Sequence, residues 1–248
     1  MPSVAVIIPA AGQSTRFGGV EKKPFVSLDG RPVWQRSAEL FWKRSDVSRV
    51  YLVLAPGDRE EFHGRFGHRI AFENVELVDG GAERFESVAN ALARVPESVD
   101  LVAVHDAVRP LGSPAIIDGV FAAAAESGAA VLAVPVADTL KRVEAETNRV
   151  TGTTPRTGLW QAQTPQVFRR AWLLDAYARR AAVPPPVTDD AQLVEAAGYP
   201  VVVVPGAPTN FKITTKDDLA LAELILKSRS AGVETDRTPT RFADDAQW

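Results

Sequence analysis

Six short runs crowded with Val, Ile, Leu and Ala recur along this chain, at 4–8, 50–54, 75–78, 101–104, 130–134 and 201–204, and five of the six contain no charged residue. A strand with one wet face would alternate apolar with polar residues. Uninterrupted runs suit strands buried on both sides, as in a parallel sheet. Between the runs lie amphipathic stretches, at 33–44, 83–94, 113–127 and 216–227, that read as helices. Strand alternating with helix predicts an open, mostly parallel α/β sheet flanked by helices. Ligands of such sheets bind at the carboxyl ends of the strands, so the residues after each run are where chemistry is sought.

One stretch departs from this rhythm. Residues 138–157 are polar, rich in Thr and Arg, and carry the turn-like Glu146-Thr147-Asn148, which predicts a β-hairpin leaving the main sheet. The three prolines within 182–187 predict a rigid, exposed connector. Residues 228–248 are polar and aperiodic and are expected to form a disordered tail.

Composition narrows the function. The 248 residues include no cysteine, which excludes disulfides and thiolate zinc sites and fits a reducing compartment. The three histidines, His63, His68 and His105, are too scattered for a metal cage. A net charge of -3 disfavours a general nucleic-acid binder. The sequence has neither a basic leader nor an apolar stretch of roughly 20 residues, so no membrane partner is expected and the reading is cytoplasmic.

The first run is followed by Pro9-Ala10-Ala11-Gly12 and then by Arg16, Lys22 and Lys23. Small residues let backbone N–H groups approach phosphate oxygens, and the cations add fixed charge. The segment is neither a G-x-G-x-x-G loop nor a P-loop, and an ordinary glycine-rich turn could begin in the same way. After the third run comes Asp79-Gly80-Gly81, followed by Glu83, Arg84 and Ser87. Alone it also reads as a strand-to-helix turn with an acidic residue at the helix start. The fourth run ends in His105-Asp106-Ala-Val-Arg109-Pro110. Asp106 could take a ribose hydroxyl or magnesium and Arg109 a phosphate, or the two could simply pair. His105 reads as a structural hydrogen-bonder. Further on lie Asp138-Thr139, Arg156, Gln163-Thr164-Pro165 and Thr188-Asp189-Asp190, where one aspartate caps a helix. Lys212, between Phe211 and Ile213, either snorkels from a strand or aims at an anion.

Taken in order from about residue 4 to residue 226, these segments resemble the 2-C-methyl-D-erythritol 4-phosphate cytidylyltransferases of the non-mevalonate isoprenoid pathway. The resemblance implies a Rossmann-like nucleotidyltransferase fold, with 1–227 as a single domain bearing a protruding β-arm. It makes Arg16 and Lys23 stabilisers of charge on the α-phosphate, and Lys212 and Arg156 the residues that position the polyol phosphate. Pro9, Ala10, Ala11, Gly12, Gly80, Gly81, Arg84, Ser87 and Asp106 would hold CTP. Asp106 would also border the acceptor site, lined by Arg109, Thr139, Thr164 and Thr188. Magnesium is implied, with its ligands unassigned. So is a homodimer in which the arm covers the partner and carries Arg156 and Thr139 across the interface. Where some relatives have an acidic residue after the paired glycines, this chain has Ala82.

The inventory suits that reaction. A phosphate monoester has a second pKa near ~6 and is already a nucleophile at neutral pH. The task is then to bring two anions together, which asks for positive charge and alignment rather than proton transfer. Two alternatives stay open: a ribitol 5-phosphate cytidylyltransferase and a non-catalytic nucleotide-binding module. A dinucleotide-binding oxidoreductase lacks its glycine fingerprint here.

Overall fold

The computed structural model describes residues 2–12 and 22–232, with Lys23 described by its backbone alone. In chain order its first half comprises β1 (Val4–Pro9), β2 (Ser27–Leu28), β3 (Arg31–Pro32), α1 (Val33–Glu39), β4 (Val47–Leu54), α2 (Arg59–Ile70), β5 (Val75–Asp79), α3 (Arg84–Leu92), β6 (Leu101–Val104) and α4 (Pro114–Ser127). The second half comprises β7 (Ala129–Pro135), β8 (Leu140–Val143), β9 (Val150–Thr154), β10 (Trp160–Arg169), α5 (Arg170–Ala178), α6 (Asp190–Ala196), β11 (Val202–Pro205) and α7 (Lys216–Ser230).

Seven strands form one sheet in the order β11-β7-β10-β6-β1-β4-β5. All six expected runs are in it. Along β1, Val4, Val6 and Ile8 pack on one face with Trp34, Phe62 and Ile117, while Ala5 and Ile7 pack on the other with Val88, Leu92 and Leu173. Successive side chains of a strand point to opposite faces, so an uninterrupted apolar run fills both cores at once. From β1 the chain proceeds through β4 and β5 to one edge. β6 returns to the other side of β1 and leads on towards β7. The crevice above β1 and β6 is therefore the switch point at which such sheets bind ligands.

β10 is absent from the expected strands. The hairpin β8–β9 leaves from the carboxyl end of β7 and returns there, so the next strand must run backwards. β10 pairs antiparallel with both β6 and β7. Its sequence, with three glutamines, a threonine and a proline before Val167, hides it from a search for apolar runs. The ladder with β7 shifts register between Ala162 and Gln166, a bulge that carries Gln163, Thr164 and Pro165 to the edge of the crevice. The expected hairpin at 138–157 is β8 paired with β9.

Other departures are local. α2 is polar overall, but Phe62, Phe66 and Ile70 recur every four residues on its buried face. α1 ends at Glu39, five residues early, because Phe41 N–H bonds to the Ala38 carbonyl and this tighter turn buries the adjacent Phe41 and Trp42 together. α7 extends to Ser230, past the expected boundary at 227, and Arg229 Nη1 donates to the Leu111 carbonyl. The rest of the expected tail, 233–248, lies outside the described residues. No described helix is long and apolar enough to cross a membrane.

Candidate active site

Two loops make one wall of the crevice. Ala10 N–H donates to the Val53 carbonyl, and Gly80 N–H to the Leu54 carbonyl, so the ends of β1 and β5 are both held to β4. A Cβ on Gly80 would come within 2.8 Å of both the Ala11 methyl and Ser87 Oγ, so glycine is what lets these loops touch. At Gly81 a Cβ would collide with Glu86 at 2.3 Å. Ser87 Oγ accepts from Gly81 N–H at 3.1 Å and donates to the Glu83 carbonyl at 3.2 Å, pinning the turn to the first turn of α3. Glu83 N–H is capped by Glu86 at 3.1 Å. Pro9, Ala10, Ala11, Gly12, Gly81, Arg84, Ser87, Asp106 and Lys212 line a cavity of about 260 Å³. Gly80 lies behind it.

A second cavity, of about 250 Å³, shares Arg84, Asp106 and Lys212 with the first and adds Arg109, Thr164 and Thr188. Asp106 is the hinge between them. Its carboxylate meets Lys212 Nζ at 3.1 Å, Arg109 Nε at 3.2 Å and Arg84 Nη2 at 4.0 Å. Burial pushes its pKa up, but Lys212, Arg84 and Arg109 together hold it well below the usual carboxylate range. One anion thus keeps three cations from drifting apart. The pairing of Asp106 with Arg109 and the aim of Lys212 into the crevice are both present at once. Lys212 does not snorkel away.

Arg84 has a second anchor that sequence reasoning missed. Asp190, 1% exposed, accepts from Arg84 at 2.8 Å and from the Tyr177 hydroxyl at 2.5 Å. Burial works against the charged guanidinium, yet Asp190 and Asp106 outweigh it and raise the Arg84 pKa. Asp189 is the helix cap of the pair, accepting Gln192 N–H at 3.0 Å and also Gln166 Nε2 at 2.8 Å. The adjacent aspartates were visible in the sequence; which of them reaches a residue on α3 was not.

His105 is wholly buried and joins the turn after β6 to the bulge of β10. Its Nε2 lies 3.0 Å from the Arg109 carbonyl, which only accepts, so Nε2 carries the proton. Nδ1 then accepts from the Thr164 hydroxyl, whose oxygen accepts from Asp106 N–H. Burial, the largest influence, pushes the imidazole pKa down to about 4, so it is neutral near pH 7. The expected structural role holds, and the Thr164 hydroxyl is spent inside this network.

Other expected residues fall elsewhere. Thr188 lines the second cavity with its hydroxyl bonded to Gln192 Oε1. Thr139 and Arg156 sit exposed at the base of the arm, Arg156 donating to the Ala137 carbonyl, and neither lines a cavity of this chain. Lys22, expected among the loop cations, is bound to Asp58 at 2.6 Å. Arg16 and the Lys23 side chain lie outside the described residues.

Comparisons with known proteins place the chain in a family. A family model described as 2-C-methyl-D-erythritol 4-phosphate cytidylyltransferase matches residues 4–228. A protein of that name from Dechloromonas aromatica is 44% identical over 234 residues, covering 92% of this chain and 100% of its own length. A bifunctional enzyme from Desulfotalea psychrophila is 41% identical over 92% of this chain, which spans only 58% of that longer relative. The crystal structure of the cytidylyltransferase from Thermus thermophilus superposes with a TM-score of 0.72 at 38% identity, covering 91% of this chain and 99% of that one. With the match running through both cavity walls and nearly the whole described chain, the protein belongs to the 2-C-methyl-D-erythritol 4-phosphate cytidylyltransferase family of nucleotidyltransferases.

Proposed function

We propose that the chain converts CTP and 2-C-methyl-D-erythritol 4-phosphate to 4-diphosphocytidyl-2-C-methyl-D-erythritol and pyrophosphate, with the nucleotide in the first cavity and the acceptor in the second. The observation that carries this assignment is the trio of cations converging on Asp106 where the cavities meet. An acceptor phosphate oxygen attacks the α-phosphorus. The bond from that phosphorus to the bridging oxygen of the β-phosphate breaks, and pyrophosphate leaves with the electron pair. Arg109 and Lys212 draw in and orient the acceptor phosphate. Arg84, fixed by Asp190, faces both anions at the junction. Arg16 and Lys23 are assigned to the α-phosphate. No group is needed as general base, because the attacking oxygen is already ionised, and His105 has both nitrogens engaged.

Among the described residues no cluster of three or more acidic or histidine side chains could cage a metal ion. Magnesium held mainly by triphosphate oxygens needs only one or two carboxylates, and Asp106, ionised and shared by both cavities, fits that part. Bound there, magnesium would neutralise triphosphate charge and ease the departure of pyrophosphate.

We assign the arm to a homodimer contact. Val143, Val150, Leu159 and Trp160, on and beside the arm, are 40–55% exposed, an apolar group suited to burial against a second copy. On this reading Thr139 and Arg156 serve the partner's acceptor cavity. The donor substrate and the cysteine-free sequence support a cytoplasmic enzyme.

Pyrophosphate release from CTP, measured in parallel with methylerythritol phosphate and ribitol 5-phosphate, tests the assignment. Preferential turnover of methylerythritol phosphate is expected. Turnover only with ribitol 5-phosphate would replace the acceptor, and release with neither would reject the enzyme reading.

A further inference from the structure

Behind the second cavity lie two polar residues, His105 and Asn210, that are 0% exposed and line neither cavity. Their hydrogen bonds go instead to the segments that carry the cations. Asn210 Nδ2 donates to the Thr164 carbonyl at 3.0 Å and to Gln163 Oε1 at 3.2 Å, fastening the segment before Lys212 to the bulge of β10. The Asn210 carbonyl accepts from Arg109 Nη1 at 2.8 Å. On the far side of Lys212, Ile213 N–H donates to the Val108 carbonyl at 2.9 Å. His105 holds the main chain of Arg109 through Nε2 and the bulge through Thr164.

We propose that His105 and Asn210 are positioning residues that aim Arg109 and Lys212 at the acceptor phosphate; this rests on the reading of the second cavity as the acceptor site. The three segments they join, 105–109, 163–164 and 210–213, are distant in sequence, and no local propensity would hold them in register. Arg109 is gripped at its carbonyl by one of the two residues and at its guanidinium by the other. Lys212 starts from a backbone pinned two residues before it and one residue after. A charged group directed in this way loses its target when the pin is removed, even though the pin never meets the ligand. Binding constellations require supporting groups that hold them to within about 0.5 Å. The first cavity meets this web only at its margin, through the shared Asp106 and Lys212 and through Val108, whose carbonyl accepts from Ile213 N–H, so damage to the web should fall mainly on the acceptor.

The test uses the full-length chain and measures steady-state kinetics for both substrates, CTP binding by calorimetry, and thermal melting. Asn210→Asp keeps the shape and removes both side-chain donors. His105→Gln keeps an N–H near the place of Nε2, whereas His105→Asn loses it. We expect Asn210→Asp and His105→Asn to raise the acceptor KM by about 10- to 100-fold, the scale of lost hydrogen bonds to charged or buried groups, with the Kd for CTP within about twofold. His105→Gln should lie between them and the wild type. Folded variants with an unchanged acceptor KM, or with CTP affinity weakened as much as acceptor affinity, would overturn the proposal. So would melting of all three below the assay temperature, which would make the roles purely structural. Arg109→Ala, run in parallel, separates the two levels: if it leaves the acceptor KM untouched, the assignment of the second cavity fails first.

Discussion

The two cavities that meet at Asp106 are built in opposite ways. Away from the charged groups at the junction, the first is made of backbone and small side chains, and its shape depends on glycine at 80, where an added methyl group would strike the opposite loop at 2.8 Å. The second is made of long charged side chains from distant segments, drawn together by ion pairs and by buried hydrogen bonds behind them. The first recognises by fit. The second gathers charge that would otherwise repel itself. Their tolerance of substitution should differ accordingly.

The largest effect is expected on the charged side. Removing one well-placed electrostatic stabiliser typically costs ~10²–10³ in turnover, so Lys212→Ala should lower kcat by about that factor while CTP still binds, as pyrophosphate release and calorimetry would record. Equal losses in turnover and CTP affinity would break the distinction between the cavities.

A second difference is pH dependence. His105 is neutral in the fold, its pKa lowered from 6.5 to about 4. Between those values the unfolded chain binds a proton that the folded chain does not. Its contribution is therefore fully present above pH 6.5 and is lost as pH falls towards 4. The loss is on the order of 3 kcal/mol at most. Melting profiles of wild type and His105→Gln should converge across that window. Parallel profiles would show that the acceptor side lacks this acid sensitivity.

The smallest effect is expected on the fitted side. Gly80→Ala must part the two loops and should cost about 1–3 kcal/mol, as overpacking does. It should raise the KM for CTP more than that for the acceptor, which denaturant titration and kinetics with each substrate would measure.

This contrast also explains what could be read in advance. The glycine loops were legible because small residues after an apolar run are local signals. Asp106, Arg109 and Lys212 were legible as candidates by residue type and by their place after strands. Legibility failed where meaning depends on a distant partner. Lys22 looks no different from Lys23 in sequence, yet Asp58 claims it. Asp189 and Asp190 read alike as candidates for a single helix cap until folding brings Asp190 to Arg84.

The sequence by itself determined the six apolar strands, the helices α3, α4 and α7 to within a few residues, the hairpin, and the store of cations, because periodicity and backbone preference act over a few neighbours. Only the tertiary structure decided that β10 runs backwards between β6 and β7, that its bulge lifts Thr164 to the crevice, and that His105 and Asn210 stand behind Arg109 and Lys212. Those outcomes depend on which distant groups can be buried together with the side-chain donors of His105 and Asn210 matched to acceptors, a condition that exists only once the sheet has closed around them.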